Sequence, residues 1–364
     1  MSFLGTPRAC GRCLKRSWLL ARLSGNLDLE RRRLTELLAL PDRELVHALA
    51  GRQRKPVLAE YGDLDSSALR ACAGQAGLEV ICACDGDYPA GLRELENAPA
   101  ALYVAGGLER FLDLISRDAV AVVGARRASE YGLQVARSLA RGITRAGLTV
   151  ASGMATGIDS AGHVGALETG DATVAVLPAG ADHPYPPGKR ALYRRITARG
   201  AAVSELPPST PARRWMFPAR NRIIAALSAA VIVVEAGERS GALVTAKCAR
   251  ELGRAVGAVP GRVTSPLAAG PNHLIAQGAL LVRGAQDVLE LLFGDGAGAA
   301  VSDDREALSP EDQRLVQAIG EGLDTIGALV RAGLAPDEAL ASLSALELTG
   351  YVRRATGGRY ELLP

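Results

Sequence analysis

Ala119-Val120-Ala121-Val122-Val123-Gly124-Ala125-Arg126-Arg127-Ala128-Ser129 is a short apolar run that breaks into a small-residue loop and ends on a Ser able to cap a following helix. An unbroken apolar, Val-rich run of this length, bounded by Gly, describes a strand buried on both faces. Downstream, the same unit recurs. Strands are predicted at Leu148–Ala151, Thr173–Leu177, Ala201–Ser204, Ala230–Val234 and Ala255–Val259, with a short one at Leu280–Val282. The segments between them carry helical periodicity and reach glycines suited to C-caps at Gly147, Gly170 and Gly253. Buried strands alternating with helices predict a doubly wound, Rossmann-like parallel α/β sheet.

Upstream, Leu34, Leu37, Leu38 and Leu45, Val46, Leu49 recur at helix spacing, with breaks at Pro41 and Gly51. Residues 1–79 are therefore expected to form a helical module of the SAM or helix-hairpin-helix kind. The core is expected over 80–292, with a transition that contains strand-like runs at Leu78–Cys82 and Ala101–Val104. Downstream, 293–308 is Gly- and Ala-rich and has the composition of a linker. Over 309–364, Ser309-Pro310-Glu311-Asp312 starts one helix, and two more are expected after Asp324 and Pro336. A hairpin of Tyr351–Arg354 and Arg359–Leu362 follows. Three helices and a β-ribbon make a winged-helix pattern.

The chain has 364 residues, 48% of them hydrophobic and 22% charged, with a net charge of +3. That is a folded protein whose charge balance does not itself demand a nucleic acid, so any basic surface must be local. No apolar run reaches the ~18 residues of a membrane span, and the Arg-rich N-terminal stretch lacks a continuous apolar region. The cytoplasm is the expected location. Cys10 and Cys13 form one C-x-x-C and Cys82 and Cys84 lie in a strand-like run. The cysteines are expected to be reduced thiols rather than a zinc site, and no metal or other cofactor is expected.

In a doubly wound sheet, ligands bind beyond the carboxyl ends of the strands. The loops there hold Gly124, Arg126 and Ser129, then Ser152 and Gly153, then Lys189 and Arg190, then Arg239, Ser240 and Gly241. Small residues at helix N-termini favour an anion, and the added basic residues point to phosphate. The run Arg213-Arg214-Trp215-Met216-Phe217-Pro218-Ala219-Arg220-Asn221-Arg222 interleaves guanidinium groups with aromatics, a combination suited to single-stranded nucleic acid. The first loop is not G-x-G-x-x-G and no acid stands at the end of the second strand, which argues against a dinucleotide cofactor, and the absence of G-x-x-x-x-G-K-[ST] excludes a P-loop on motif grounds. Asp159 and His163, four apart on one helix, lack a third partner and read as structural.

Taken together, Val122-Val123-Gly124-Ala125-Arg126 with Ser129, Ser152-Gly153-Met154-Ala155-Thr156-Gly157-Ile158-Asp159, Phe217-Pro218-Ala219-Arg220-Asn221-Arg222-Ile223-Ile224, Arg239-Ser240-Gly241-Ala242 and Val259-Pro260-Gly261 resemble the DprA/Smf family of DNA-processing proteins. The resemblance runs in order over roughly 80–290, and the tail matches that family's winged-helix module. It implies a non-enzymatic protein, usually a homodimer, that binds single-stranded DNA and loads a RecA-type recombinase in natural transformation. Carried over by position, Arg126 holds a phosphate. Arg220, Asn221 and Arg222 line the groove with Ser240 and Gly241, Phe217 stacks, and Lys189 and Arg190 lie in a basic loop. Arg214 and Arg239 flank these. The family commonly has Ser at Ala125, Arg at Thr156 and Ser at Ala242, which puts affinity in question more than mechanism.

Two other functions are open to such a core. A nucleoside 5'-monophosphate phosphoribohydrolase resembles P-G-G-x-G-T-x-x-E at the loop that here reads Arg239–Ala246, without the closing carboxylate. A transcription regulator would read DNA through the tail, but its expected recognition helix begins Pro336-Asp337-Glu338 and carries Glu347, which phosphates repel.

Overall fold

The computed structural model describes residues 8–170, 172–294, 308–355 and 357–362. Nine strands form one sheet: β1 Glu79–Cys82, β2 Ala101–Ala105, β3 Ala119–Val123, β4 Thr149–Ser152, β5 Thr173–Val176, β6 Ala201–Ser204, β7 Ala230–Val233, β8 Ala255–Ala258 and β9 Leu280–Leu281. Their spatial order is β1-β2-β6-β5-β4-β3-β7-β8-β9. From β6 to β9 every neighbouring pair is parallel, with Ala121 opposite Ala151 on one side of β3 and opposite Val231 on the other. The strands β3 to β7 are buried at every position, which is what helices on both faces of a parallel sheet require.

The transition segment departs from the all-parallel expectation. Its two strands join the sheet at the β6 edge, and both β2–β6 and β1–β2 pair antiparallel. Among the expected C-cap glycines, Gly147 and Gly253 are left-handed at φ +84° and +67°, whereas Gly170 is extended.

The described residues fall into two compact units, one up to residue 294 and one from residue 308. The helices expected as a module over 1–79 are thus not separate from the sheet. Leu14 and Ala73 share a core with Leu78, Tyr103, Leu177 and Leu192. Leu19, Leu23, Leu27, Leu37 and Leu45 share another with Leu206, Trp215, Met216 and Ala219. The linker expected over 293–308 lies, apart from its ends, outside the described residues.

In the second unit, helices Pro310–Gly320, Ile326–Arg331 and Pro336–Leu348 precede the antiparallel pair Val352–Arg354 and Tyr360–Leu362. Ser309 caps the first through Asp312 N and Thr325 caps the second through Ala328 N. Leu315, Ile319, Leu329, Leu343, Leu346, Val352 and Tyr360 fill its core.

Candidate nucleic-acid interface

The chain runs outward from β3 through β4, β5 and β6, then returns to β7 on the other side of β3. At that reversal the connections leave in opposite directions and open a crevice beyond the carboxyl ends of β3 and β7. A pocket of ≈ 290 Å³ lies there. Gly124 and Arg126 line it after β3, Ser240, Gly241 and Ala242 after β7, and Phe217, Arg220, Asn221 and Ile224 from the helix Met216–Ala226.

Helical rotation selects those four residues. At about 100° per residue, positions 217, 220, 221 and 224 share one face, while 222 points to the opposite side. Arg222 accordingly leaves the pocket. Its Nη2 sits 2.6 Å from Glu205 Oε2, with both side chains nearly sealed from solvent. The structure therefore separates Arg222 from the groove in which the sequence pattern placed it.

Arg220 points inward but is almost wholly engaged. Its Nη1 donates to Val176 O at 2.7 Å and to Gly153 O, its Nε donates to Asn221 Oδ1 at 3.1 Å, and Nη2 is 3.7 Å from Asp159 Oδ2. The guanidinium lies directly on Gly153, where an added Cβ would fall 1.7 Å from Nη1. Asn221 passes the connection on, its Nδ2 donating to Gly241 O at 3.2 Å. Burial holds the Asp159 carboxyl above the ordinary carboxylate range, and the Arg220 charge offsets this only in part. Arg220 is a cation under the floor of the pocket, tying the ends of β4 and β5 to the helix.

The N-terminus of helix Glu130–Arg145, which the sequence left open to an anion, already holds one. Glu235, at the end of β7, accepts from Ser129 N at 2.8 Å and from Ser129 Oγ at 2.5 Å, while Ser129 Oγ caps Gly132 N at 3.0 Å. Gly132 makes room, since a Cβ there would lie 2.3 Å from the Glu235 carboxylate. A carboxylate is stabilised by this helix end, so an external phosphate finds the position taken. Ser152 is likewise engaged, its Oγ donating to Val122 O at 2.6 Å inside the core. Ser240 caps helix Gly241–Glu251 through Ala242 N.

What remains available is at the mouth. Arg126 is exposed and its Cζ stands 4.8 Å from the centroid of the Phe217 ring. Tyr185 meets Phe217 edge-on, with ring centroids 5.4 Å apart. Arg126 is also a wall of a second, more open pocket of ≈ 430 Å³, together with Arg127, Arg137, Thr156 and Lys189. Arg137 there is paired with Glu168. Arg190, Arg214 and Arg239 are exposed but line neither pocket. Tyr185 and Arg127 went unassigned in the sequence. The signal for Tyr185 was a lone aromatic in a loop that ends in Lys189-Arg190.

His163 is structural, as its spacing implied. It is fully buried, Nδ1 is 2.7 Å from Thr173 Oγ1, and Nε2 has no hydrogen-bond partner among the described residues. Burial lowers its pKa to about 3, so it is neutral in the fold. The unfolded chain takes up a proton below about pH 6.5 that the native state excludes, so this group's stabilisation is complete above that pH and is lost as pH falls toward 3. Replacing His163 with Gln is expected to flatten the fall of unfolding free energy between pH 6.5 and 4 by up to about 1.4 kcal/mol per pH unit. Denaturant titrations of both proteins across that range measure it, and parallel curves would refute it.

The description "DNA recombination-mediator protein A" belongs to a family model that matches residues 79–293, more than half of the chain, and a DprA winged-helix model matches 299–358. The chain belongs to the DNA recombination-mediator protein A family. Protein Smf of Escherichia coli is 37% identical over 284 residues, covering 76% of this chain and 75% of that protein. The X-ray structure of DNA processing protein A from Streptococcus pneumoniae superposes with a TM-score of 0.64 at 34% identity, over 78% of this chain and 99% of that one. A structure of DNA processing protein A from Helicobacter pylori matches with a TM-score of 0.54 at 26% identity, covering 60% of this chain and 98% of that chain, and is described in terms of its single-stranded DNA binding mode. In this family setting, the Arg126–Phe217–Tyr185 cluster stands at the switch point of the sheet.

Proposed function

We propose that the chain binds single-stranded DNA across the Arg126–Phe217–Tyr185 mouth, without cutting it, and delivers the strand to a RecA-type recombinase as a homodimer. The Arg126 guanidinium over the Phe217 ring, with Tyr185 edge-on to that ring, carries this reading. Ring faces stack on bases of any identity, and only an unpaired strand offers a base face to them. Beside the mouth, Arg127 and Lys189 supply cations along which a phosphate backbone can run. Membership of a recombination-mediator family supports the transfer to a recombinase, and the single-stranded DNA binding mode described for the Helicobacter pylori protein supports the choice of single strands.

The state of the nearby carboxylates favours binding over base hydrolysis. Glu235 is held by Ser129 and Asp159 by Arg220, so neither is positioned as a free acid or base at the pocket. The winged-helix tail reads as a partner-binding module, since its Pro336–Leu348 helix opens with Asp337 and Glu338 and exposes Leu340 and Leu348.

Binding to single- and double-stranded oligonucleotides across a salt series tests the reading. Single strands are expected to bind more tightly. Phe217→Ala is expected to weaken binding roughly 5- to 150-fold with little change in salt slope, the worth of one stacking platform. Arg126→Ala is expected to reduce the slope of log affinity against log salt by about 0.7, one phosphate contact. Preference for duplex, or wild-type binding by both variants, would overturn the assignment. Sedimentation of the free chain checks the dimer, and filament assembly by a recombinase on the coated strand checks delivery.

A further inference from the structure

The fold brings together four cysteines that the sequence separates. Cys10 is the N-cap of helix Gly11–Arg22 and Cys13 lies one turn further on, so both thiols face the same side of the helix start. Cys82 ends β1 and Cys84 lies in the turn that follows. Their four Sγ atoms all lie within 4.8 Å of one another, and Cys13 and Cys84 are 3.8 Å apart. A tetrahedral zinc ion with Zn–S bonds of about 2.3 Å sets its sulfurs about 3.8 Å apart, whereas a disulfide needs about 2.05 Å. The spacing is that of ligands around a common centre.

Hydrogen-bond donors face two of the sulfurs. Cys10 N points at Cys82 Sγ at 3.3 Å and Arg12 Nη2 at Cys84 Sγ at 3.6 Å, donors that would offset the charge of a four-thiolate site. Asp85 Oδ2 accepts from Cys82 N at 2.8 Å and from Ala9 N at 3.1 Å, clamping the two cysteine-bearing segments together without entering the sulfur cluster. Arg93 braces the same turn through Ala83 O at 2.7 Å. Cys13 and Cys82 are buried and Cys84 is exposed, so the cluster has a closed side and an open one.

We propose that Cys10, Cys13, Cys82 and Cys84 form a structural zinc site that pins the first helix to the antiparallel edge of the sheet. An all-sulfur tetrahedral set selects a thiophilic ion, and four protein ligands leave no open position for catalysis. On binding, four thiol protons pass to solvent and four Zn–S bonds form, with no change of oxidation state. From the sequence, the two cysteine pairs, about 70 residues apart, are expected to be reduced thiols. The turn at Ala83 supplies the geometry that spacing alone did not reveal.

Zinc content of the untagged full chain, purified under reducing conditions, tests the site by elemental analysis. About one zinc per chain is expected, removed by unfolding in chelator and regained on refolding with zinc alone. Cys84→Ser, at the exposed corner, is expected to lose the metal while circular dichroism keeps the native helix signal and the melting temperature falls. Cys72→Ser, outside the cluster, retains it. Arg12→Ala is expected to lower zinc affinity about 10-fold while leaving the stoichiometry intact. Absence of zinc from the wild-type chain before and after zinc addition, full zinc retention in Cys84→Ser, or an unreduced mass lower by a disulfide's two hydrogens would each overturn the proposal.

Discussion

Arg220→Ala is expected to lower the free energy of unfolding by about 3–5 kcal/mol, the effect of removing one partner from a buried ion pair. Asp159 would be left as a buried carboxylate without its cation, and Gly153 O and Val176 O would lose their donor. An unsatisfied buried acceptor costs about 1–3 kcal/mol, so the two carbonyls add to the same loss. Lys should not rescue it. An ammonium lacks the planar fork that reaches two carbonyls and Asn221 at once. Chemical denaturation of wild type, Arg220→Ala and Arg220→Lys measures the effect, alongside the salt dependence of single-strand binding in whatever fraction stays folded. A near-neutral stability change with a reduced salt slope would mean that Arg220 is a phosphate ligand after all.

Trp215→Ala is expected to cost about 3–5 kcal/mol, as large-to-small changes at sealed core aromatics do. Trp215 has no exposed surface. Its Nε1 donates to Ser24 Oγ at 3.0 Å and its backbone N to Asp28 Oδ1 at 2.8 Å. Those contacts hold helix Ser24–Leu29 against the start of helix Met216–Ala226. Because Phe217 is two residues further along, loosening this anchor should also weaken single-strand binding, though Trp215 itself lines neither of the two pockets at the mouth. Hydrogen exchange is expected to rise over both helices, with Trp215→Phe restoring most of the protection. Unchanged exchange in Ser24–Leu29 would show that the tryptophan does not fasten the two.

The two residues show how far a linear motif can be read. Trp215 and Phe217 both look like stacking candidates in the sequence, and one is a core anchor while the other stands at the mouth. Arg220 and Arg222 look like a matched pair of phosphate ligands, and each instead has a buried acidic partner, Asp159 and Glu205 respectively. Ser129 looks free to help hold an anion at its helix end and is instead occupied by Glu235. In each case residue type and position were legible, and the partner was not.

The strands, their loops and the presence of the tail's helices and hairpin follow from the sequence by itself. Apolar runs, helical periods, glycines and caps act over a few residues, and those interactions are already present in the local chain. The phosphate-friendly, aromatic-bearing character of one sheet edge is visible for the same reason. Only the tertiary structure decided that β1 and β2 run antiparallel at the edge, that Glu235 fills the N-terminus of helix Glu130–Arg145, and that an exposed Arg126 meets the half-buried Phe217 and Tyr185 at one mouth. It also brought Cys10 and Cys13 to Cys82 and Cys84. Each of these depends on contacts between elements distant in the chain, where burial and charge pairing choose among partners that the local sequence leaves equivalent.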